Sequence, residues 1–258
     1  MPNAAGLYYF VHGGEHLTRP PVVMIHGPGD SHLAWPAAMR RLPGERIYAL
    51  DLPGHGSSEG TGRHDVLDYA RDVIGFMDEV GLRTAVIVGH SLGGAIALTL
   101  AVNNPEHVLG LCLIGAAARM PVNASILSGL STPDEYRSAV SLISAYSYAS
   151  ETSHDLKKPA EQRMLAARPA VLQGDFVACD SFDLRSELPR IQVPTLILCG
   201  AEDRIVPVER ARATHGALPN ATLRIIAGAG HMVMLERPVE SASELERFLD
   251  RFEYRPGQ

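Results

Sequence analysis

Six short apolar runs, each bounded by Gly, Pro or Asp, alternate with longer stretches of helical period, and no other feature constrains the fold as strongly. The runs are Val22 to Ile25, Ile47 to Leu50, Ala85 to Val88, Leu109 to Ile114, Thr195 to Cys199 and Leu223 to Ile226. Near-continuous apolar runs of this length are the pattern of strands buried on both faces. Between them Val66, Tyr69, Ala70, Val73, Ile74, Met77 and Val80 recur at intervals of three and four, which places one apolar stripe on a helix, with Gly81 as its stop. Val239, Ala242, Leu245, Phe248, Leu249 and Phe252 keep the same period after Pro238. Strand and helix in alternation imply right-handed crossovers and an α/β fold: a mostly parallel sheet with helices on both faces, preceded by an antiparallel edge from about Leu7 to Val11.

The rhythm breaks between Ala117 and about Leu188, where no strand-like run occurs and helical candidates follow Pro133, Pro159 and Pro169. So long a stretch is not a structureless loop in a compact domain, so it reads as an inserted helical cap over 117–188, with the core made of 1–116 and 189–258. A chain of 258 residues that is 46% apolar and 20% charged has enough for one sizeable core. Its net charge of −6 argues against a nucleic-acid-binding face. Cys112, Cys179 and Cys199 stand far apart, without disulfide or zinc spacing, and read as buried thiols. The start, Met1-Pro2-Asn3-Ala4-Ala5, has no leader pattern, and no apolar run is long enough to span a bilayer, so the expectation is a cytoplasmic protein with no membrane partner.

Chemistry concentrates at three places. Gly89-His90-Ser91-Leu92-Gly93 follows the run Ala85 to Val88 and opens a small-residue helix, the strand-turn-helix setting of a nucleophile elbow. Glycines on both sides of the serine permit a tight turn, and the N–H of Leu92 at the new helix's positive end suits a developing oxyanion. A serine hydroxyl is a poor nucleophile unless a base stands beside it, itself oriented by a carboxylate. Asp203 falls just past the Leu196-Ile197-Leu198-Cys199-Gly200 run, and His231 follows Gly228-Ala229-Gly230 after the last run. Both therefore sit at carboxyl ends of late strands, on the serine's edge of the sheet.

The elbow, the post-strand Asp and the late Gly-His together resemble the α/β-hydrolase superfamily over essentially the whole chain. The likeness extends to His26-Gly27 and to Asp51-Leu52-Pro53-Gly54-His55-Gly56-Ser57-Ser58, segments common in esterase-like and haloperoxidase-like members. The resemblance implies a catalytic triad of Ser91, Asp203 and His231, with one oxyanion N–H from Leu92 and another from the loop after His26-Gly27. There the sequence departs from the pattern: the next residue is Pro28, which has no N–H. The expected second donor is Gly29, with the loop displaced by one residue; the alternative is a hole resting on Leu92 and a side chain.

A cap closing over the strand ends implies an apolar acyl pocket, with Pro28, His32, Trp35, His90, Met120 and Met232 expected to bind substrate and Leu130, Tyr146 and Phe176 to wall it. His26 and His55 read as structural hydrogen-bonding residues and Glu202 as solvated. No cluster has metal-ligand spacing and no nucleotide loop is present, so neither metal nor cofactor is expected. The expected function is a serine carboxylesterase for small to medium apolar esters. Lactone, thioester, amide or carbon–carbon bond hydrolysis and perhydrolysis remain open, as does a triad-bearing ligand receptor of low turnover.

Overall fold

A computed structural model describes residues 2–14 and 19–252. In chain order the elements are β1 (Asn3–Ala4), β2 (Leu7–His12), β3 (Val22–Ile25), α1 (Ala37–Arg40), β4 (Ile47–Leu50), α2 (Val66–Glu79), β5 (Ala85–His90), α3 (Leu92–Asn103) and β6 (Val108–Ile114). Four helices follow, α4 (Ala124–Ser131), α5 (Tyr136–Ser147), α6 (His154–Ala166) and α7 (Pro169–Ser181), before β7 (Thr195–Gly200), α8 (Val208–Ala217), β8 (Ala221–Ile226), α9 (Val233–Glu236) and α10 (Pro238–Leu249). The strands form one sheet in the order β1-β2-β4-β3-β5-β6-β7-β8. β3 to β8 run parallel and β2 pairs antiparallel with β4, as the alternation of runs predicts.

Each buried strand sends alternate side chains to opposite faces. Val23 and Ile25 of β3 join Ile87 of β5 beneath α2 and α3, while Val22 and Met24 join Val86 and Val88 beneath α1 and α10. That double burial is why these strands read as unbroken apolar runs rather than as alternating ones. The α2 stripe follows from its N-cap: the Asp65 side chain accepts from Leu67 N–H at 2.8 Å, and Gly81 ends the segment at φ 72°.

The structure departs from the sequence-based expectation in three details. The short strand β1 adds an outer edge, and α4, capped by Asn123, precedes the expected helices of the insertion. Pro159 lies inside α6 instead of opening it, at the cost of one intrahelical hydrogen bond. Pro169, by contrast, occupies the first position of α7, where no N–H is needed. An isolated antiparallel bridge between Arg119 and Asp183 joins the two chain segments where the helical insertion leaves and rejoins the core. The insertion has its own apolar cluster, containing Ile126, Leu130, Val140, Ile143 and Leu172. Among the described residues no helix is long and apolar enough to cross a membrane, and the three cysteines are free and buried.

Candidate active site

The end of β5 turns directly into α3 at Ser91, whose backbone sits at φ 52° and ψ −114°. A non-glycine residue there is strained and persists only where its surroundings over-determine it. The surroundings do so. A β-carbon on Gly89 would run into the carbonyl of Gly93, and one on Gly93 into the carbonyl of Ile25, so only glycines let helix and strands approach this closely. Ser91 N–H donates to Ile114 O at 3.0 Å, tying the elbow to β6. Leu92 begins α3, and its N–H, at the first helical position, has no partner inside the helix.

Asp203 and His231 meet at the same edge. Asp203 Oδ1 accepts from the N–H groups of Ile205 and Val206 at 2.9 and 2.8 Å, and Oδ2 accepts from His231 Nδ1 at 2.9 Å. Both side chains are almost wholly buried. The Nδ1 proton directed at Asp203 leaves the lone pair on Nε2, the atom that a base needs. His231 and Ser91 line one cavity.

The loop opposite the elbow corrects one expectation. Asp30 N–H donates to Gly27 O at 3.4 Å across a turn with Pro28 second and Gly29 third at φ 63°, the arrangement that favours proline followed by glycine. Gly29 N–H is not free to receive an oxyanion: it donates to Asp175 Oδ2 at 3.0 Å, and Gly29 does not line the Ser91 cavity. Gly27 and Pro28 do line it. A β-carbon on Gly27 would lie 3.3 Å from Ser91 Cβ and 2.7 Å from His90 Nδ1, so this loop is the wall facing the serine.

The cavity encloses about 350 Å³ between the sheet edge and the helical insertion. Met232, His90 and Pro28 line it from the core, Met120 from the start of the inserted segment, and Tyr146, Phe176, Met164, Ile126 and Ile143 from its helices. His32, Trp35 and Leu130 do not. His32 turns away to Asp51 Oδ1, with its N–H at 2.6 Å and Nδ1 at 2.8 Å, and stacks on Phe10. Leu130 belongs to the insertion's own apolar cluster. Trp35 is 1% exposed in the core beneath the sheet, and its Nε1 has no partner among the described residues. Trp35→Phe removes that unsatisfied donor along with part of the ring, and the two effects offset, so stability should shift by no more than about 1–2 kcal/mol. Ester KM should stay within about twofold of the wild type; a large KM change with an unaltered melting curve would return Trp35 to the pocket.

His26 and His55 hold backbone as expected. His26 Nδ1 donates to Gly27 O at 2.7 Å while Nε2 accepts from Leu52 N–H at 3.0 Å, which pins the ends of β3 and β4 together. Burial, and then the charge of His55, lower its pKa to about 4. Burial would lower His55 too, but the charge and hydrogen bond of Asp175 outweigh it and raise its pKa. His90 Nε2 faces His231 O at 3.2 Å; burial, with the neighbouring His231, holds its pKa well below the ordinary value. Glu202 is more than solvated, since it accepts from both N–H and Oγ of Ser150 at 3.0 Å.

Residues 22–244 match the alpha/beta hydrolase family. The chain belongs to that family. It is similar to a 2-hydroxymuconate semialdehyde hydrolase of Pseudomonas putida, 28% identical over 248 residues that cover 89% of this chain and 86% of the relative. A thermophilic esterase of solved structure is 34% identical, with a TM-score of 0.81, and the match covers 95% of this chain and 98% of that one. An enol-lactonase from Burkholderia xenovorans LB400 has a TM-score of 0.88 at 23% identity, covering 96% and 100% of the two chains, a likeness of fold. The protein is thus a hydrolase of the alpha/beta fold.

Among the residues around this cavity that sequence reasoning missed, four carry charge and hold or face its wall: Asp175, Arg163, Arg204 and Arg210. Asp175 of α7 is wholly buried and accepts from three donors of the core. Arg163 of α6 pairs with Asp30 through Nε at 2.7 Å and Nη2 at 3.2 Å. Arg204 and Arg210 line the cavity, and among the described residues neither has a carboxylate in ion-pair contact. Arg204 instead donates to Ala145 O and lies 5.3 Å from the centre of the Tyr146 ring. None of the four lies in a local motif, and only the run Gly200-Ala201-Glu202-Asp203-Arg204 carries a positional hint of one of them.

Proposed function

We propose that the protein is a serine carboxylic-ester hydrolase that works through an acyl-enzyme at Ser91. The observation that carries this reading is the Asp203–His231 pair, whose histidine lines one cavity with a strained serine at a strand-to-helix turn. His231 Nε2 takes the Ser91 proton as Oγ attacks the ester carbonyl, and the oxyanion develops toward Leu92 N–H. Collapse expels the alcohol, which receives the proton from His231. Water, deprotonated by the same nitrogen, then attacks the acyl carbon and releases the acid and Ser91. A mostly apolar cavity of about 350 Å³ suits small to medium acyl groups.

The test is hydrolysis of p-nitrophenyl esters of increasing acyl length, together with covalent labelling by a fluorophosphonate. The series includes one acyl chain ending in a carboxylate, because Arg204 and Arg210 add positive charge to the wall. The expected result is a single optimum of chain length and labelling that disappears in Ser91→Ala. Equal slow hydrolysis by both proteins, with no labelling of the wild type, would refute the reading.

One observation favours a second reading, a ligand receptor with little turnover: Pro28 has no N–H and that of Gly29 is held by Asp175, so the loop offers one backbone donor fewer than the family pattern. Loss of one oxyanion donor costs about 10²–10³ in turnover. Ligand-induced thermal stabilisation without product would support the receptor; a burst followed by steady turnover would exclude it.

A further inference from the structure

The wall that faces Ser91 is held in place from the helical insertion. Gly29 and Asp30 are each tied to a different helix of it: Gly29 N–H to Asp175 Oδ2 of α7 at 3.0 Å, and both Asp30 carboxylate oxygens to Arg163 of α6. Apolar contact adds to this, for a β-carbon on Gly29 would lie 2.6 Å from Leu172 Cδ1 and 3.3 Å from Met164 Cγ. Asp175 is a buried carboxylate, which is costly unless its oxygens are satisfied. It also accepts from His55 Nε2 at 2.8 Å and Tyr69 Oη at 2.5 Å. His55 Nδ1 faces Pro53 O at 3.1 Å, so both ring nitrogens point at acceptors and the ring fits as an imidazolium. Asp175 therefore joins the insertion to three separate core segments, and one of the three is the turn beside the serine.

We infer that Asp175 and Arg163 are positioning residues for the reaction at Ser91: they clamp the turn Gly27–Asp30 to the helical insertion and so fix the cavity wall against which the ester lies. The inference rests on the Ser91 reading. Asp175 acts through Gly29, and Arg163 through Asp30. A displacement of about 1 Å at such a wall costs up to about a hundredfold in rate, because attack requires aligned atoms. Releasing Gly29 N–H would not create a new oxyanion donor, since Gly29 lies outside the cavity and its direction is set by the turn with Pro28.

The test measures kcat, KM and the fluorophosphonate labelling rate of the full chain for Asp175→Ala, Asp175→Asn and Arg163→Gln. Asp175→Ala should lower kcat and labelling by about tenfold or more with KM within about threefold. Asp175→Asn should recover to within about threefold of the wild type, because its amide oxygen still accepts from Gly29 while its NH2 turns to Tyr69 Oη. Arg163→Gln, at a half-buried site, should lose about threefold to tenfold with the same split between kcat and KM. If Asp175→Ala does not fold, Arg163→Gln decides. Variants that melt earlier but label and turn over at the wild-type rate would overturn the inference, as would a gain in kcat. Failure of the wild type itself to label would remove the Ser91 reading and this one together, whereas a labelled wild type with unaffected variants removes only this one.

Discussion

Asp203→Asn is expected to lower kcat by about 10³–10⁴ while leaving KM and the melting temperature close to those of the wild type. The reason lies in the two different sets of donors on its oxygens. Oδ1 accepts from the backbone N–H groups of Ile205 and Val206, and Oδ2 from His231 Nδ1. An asparagine must turn its amide oxygen to the two backbone donors, which leaves its NH2 facing His231 Nδ1. That nitrogen then has to accept, so the ring proton moves to Nε2, and the face toward the cavity presents a donor where a base is required. The fold keeps its contacts and the chemistry loses its base. Steady-state kinetics of the purified variant at neutral pH beside a thermal melt would check this, and a kcat within about tenfold of the wild type would show that Asp203 does not set the tautomer of His231.

What the chain disclosed before folding divides along the range of the interactions involved. The buried parallel strands and the elbow were legible because each depends on residues close in sequence: Gly89, Ser91 and Gly93 build their own turn, and β3 announces its double burial in Val22 to Ile25. Asp203 and His231 were legible because parallel strands place their following loops on one edge. Gly29 was assigned wrongly because the acceptor that takes its N–H is Asp175, 146 positions away in α7. No local pattern shows which way a turn's free N–H points when a distant carboxylate fixes it. His32 and Trp35 lie within a few residues of that loop, but proximity in sequence does not give side-chain direction; buried Asp51 draws one away from the cavity and the apolar layer beneath the sheet buries the other. Helix α4 escaped notice because only Ile126, Gly129 and Leu130 are buried along it, too few to mark a period. The clamp of Asp175 and Arg163 on the turn is the extreme case, for its donors and acceptors come from α2, α6, α7 and two loops.

The same buried histidines that hold the site should make the protein sensitive to mild acid. His26 has a folded pKa of about 4 against an ordinary value of 6.5, held down by burial and then by the charge of His55; its Nε2 accepts from Leu52 N–H, so a proton there would also expel a buried donor. Between pH 6.5 and about pH 4 the unfolded chain binds a proton that the folded chain refuses. Stability is therefore full above that window and falls as pH is lowered through it, by about 1.4 kcal/mol per pH unit and about 3 kcal/mol in all from this one residue. His90, lowered further by burial and by its neighbour His231, acts in the same direction. His55 does not compensate. Its pKa is raised by Asp175, so its contribution is already complete below the unfolded value and is lost only as pH rises through the folded one. Urea unfolding of the wild type and of His26→Gln at several pH values from 7.5 to 4.5 isolates the effect. The glutamine amide offers one donor for Gly27 O and one acceptor for Leu52 N–H without a titrating proton, so its stability should fall less steeply by about 1.4 kcal/mol per pH unit. Equal slopes for the two proteins would mean that His26 charges in the folded state as readily as in the unfolded one, and that the link between β3 and β4 does not depend on a neutral ring.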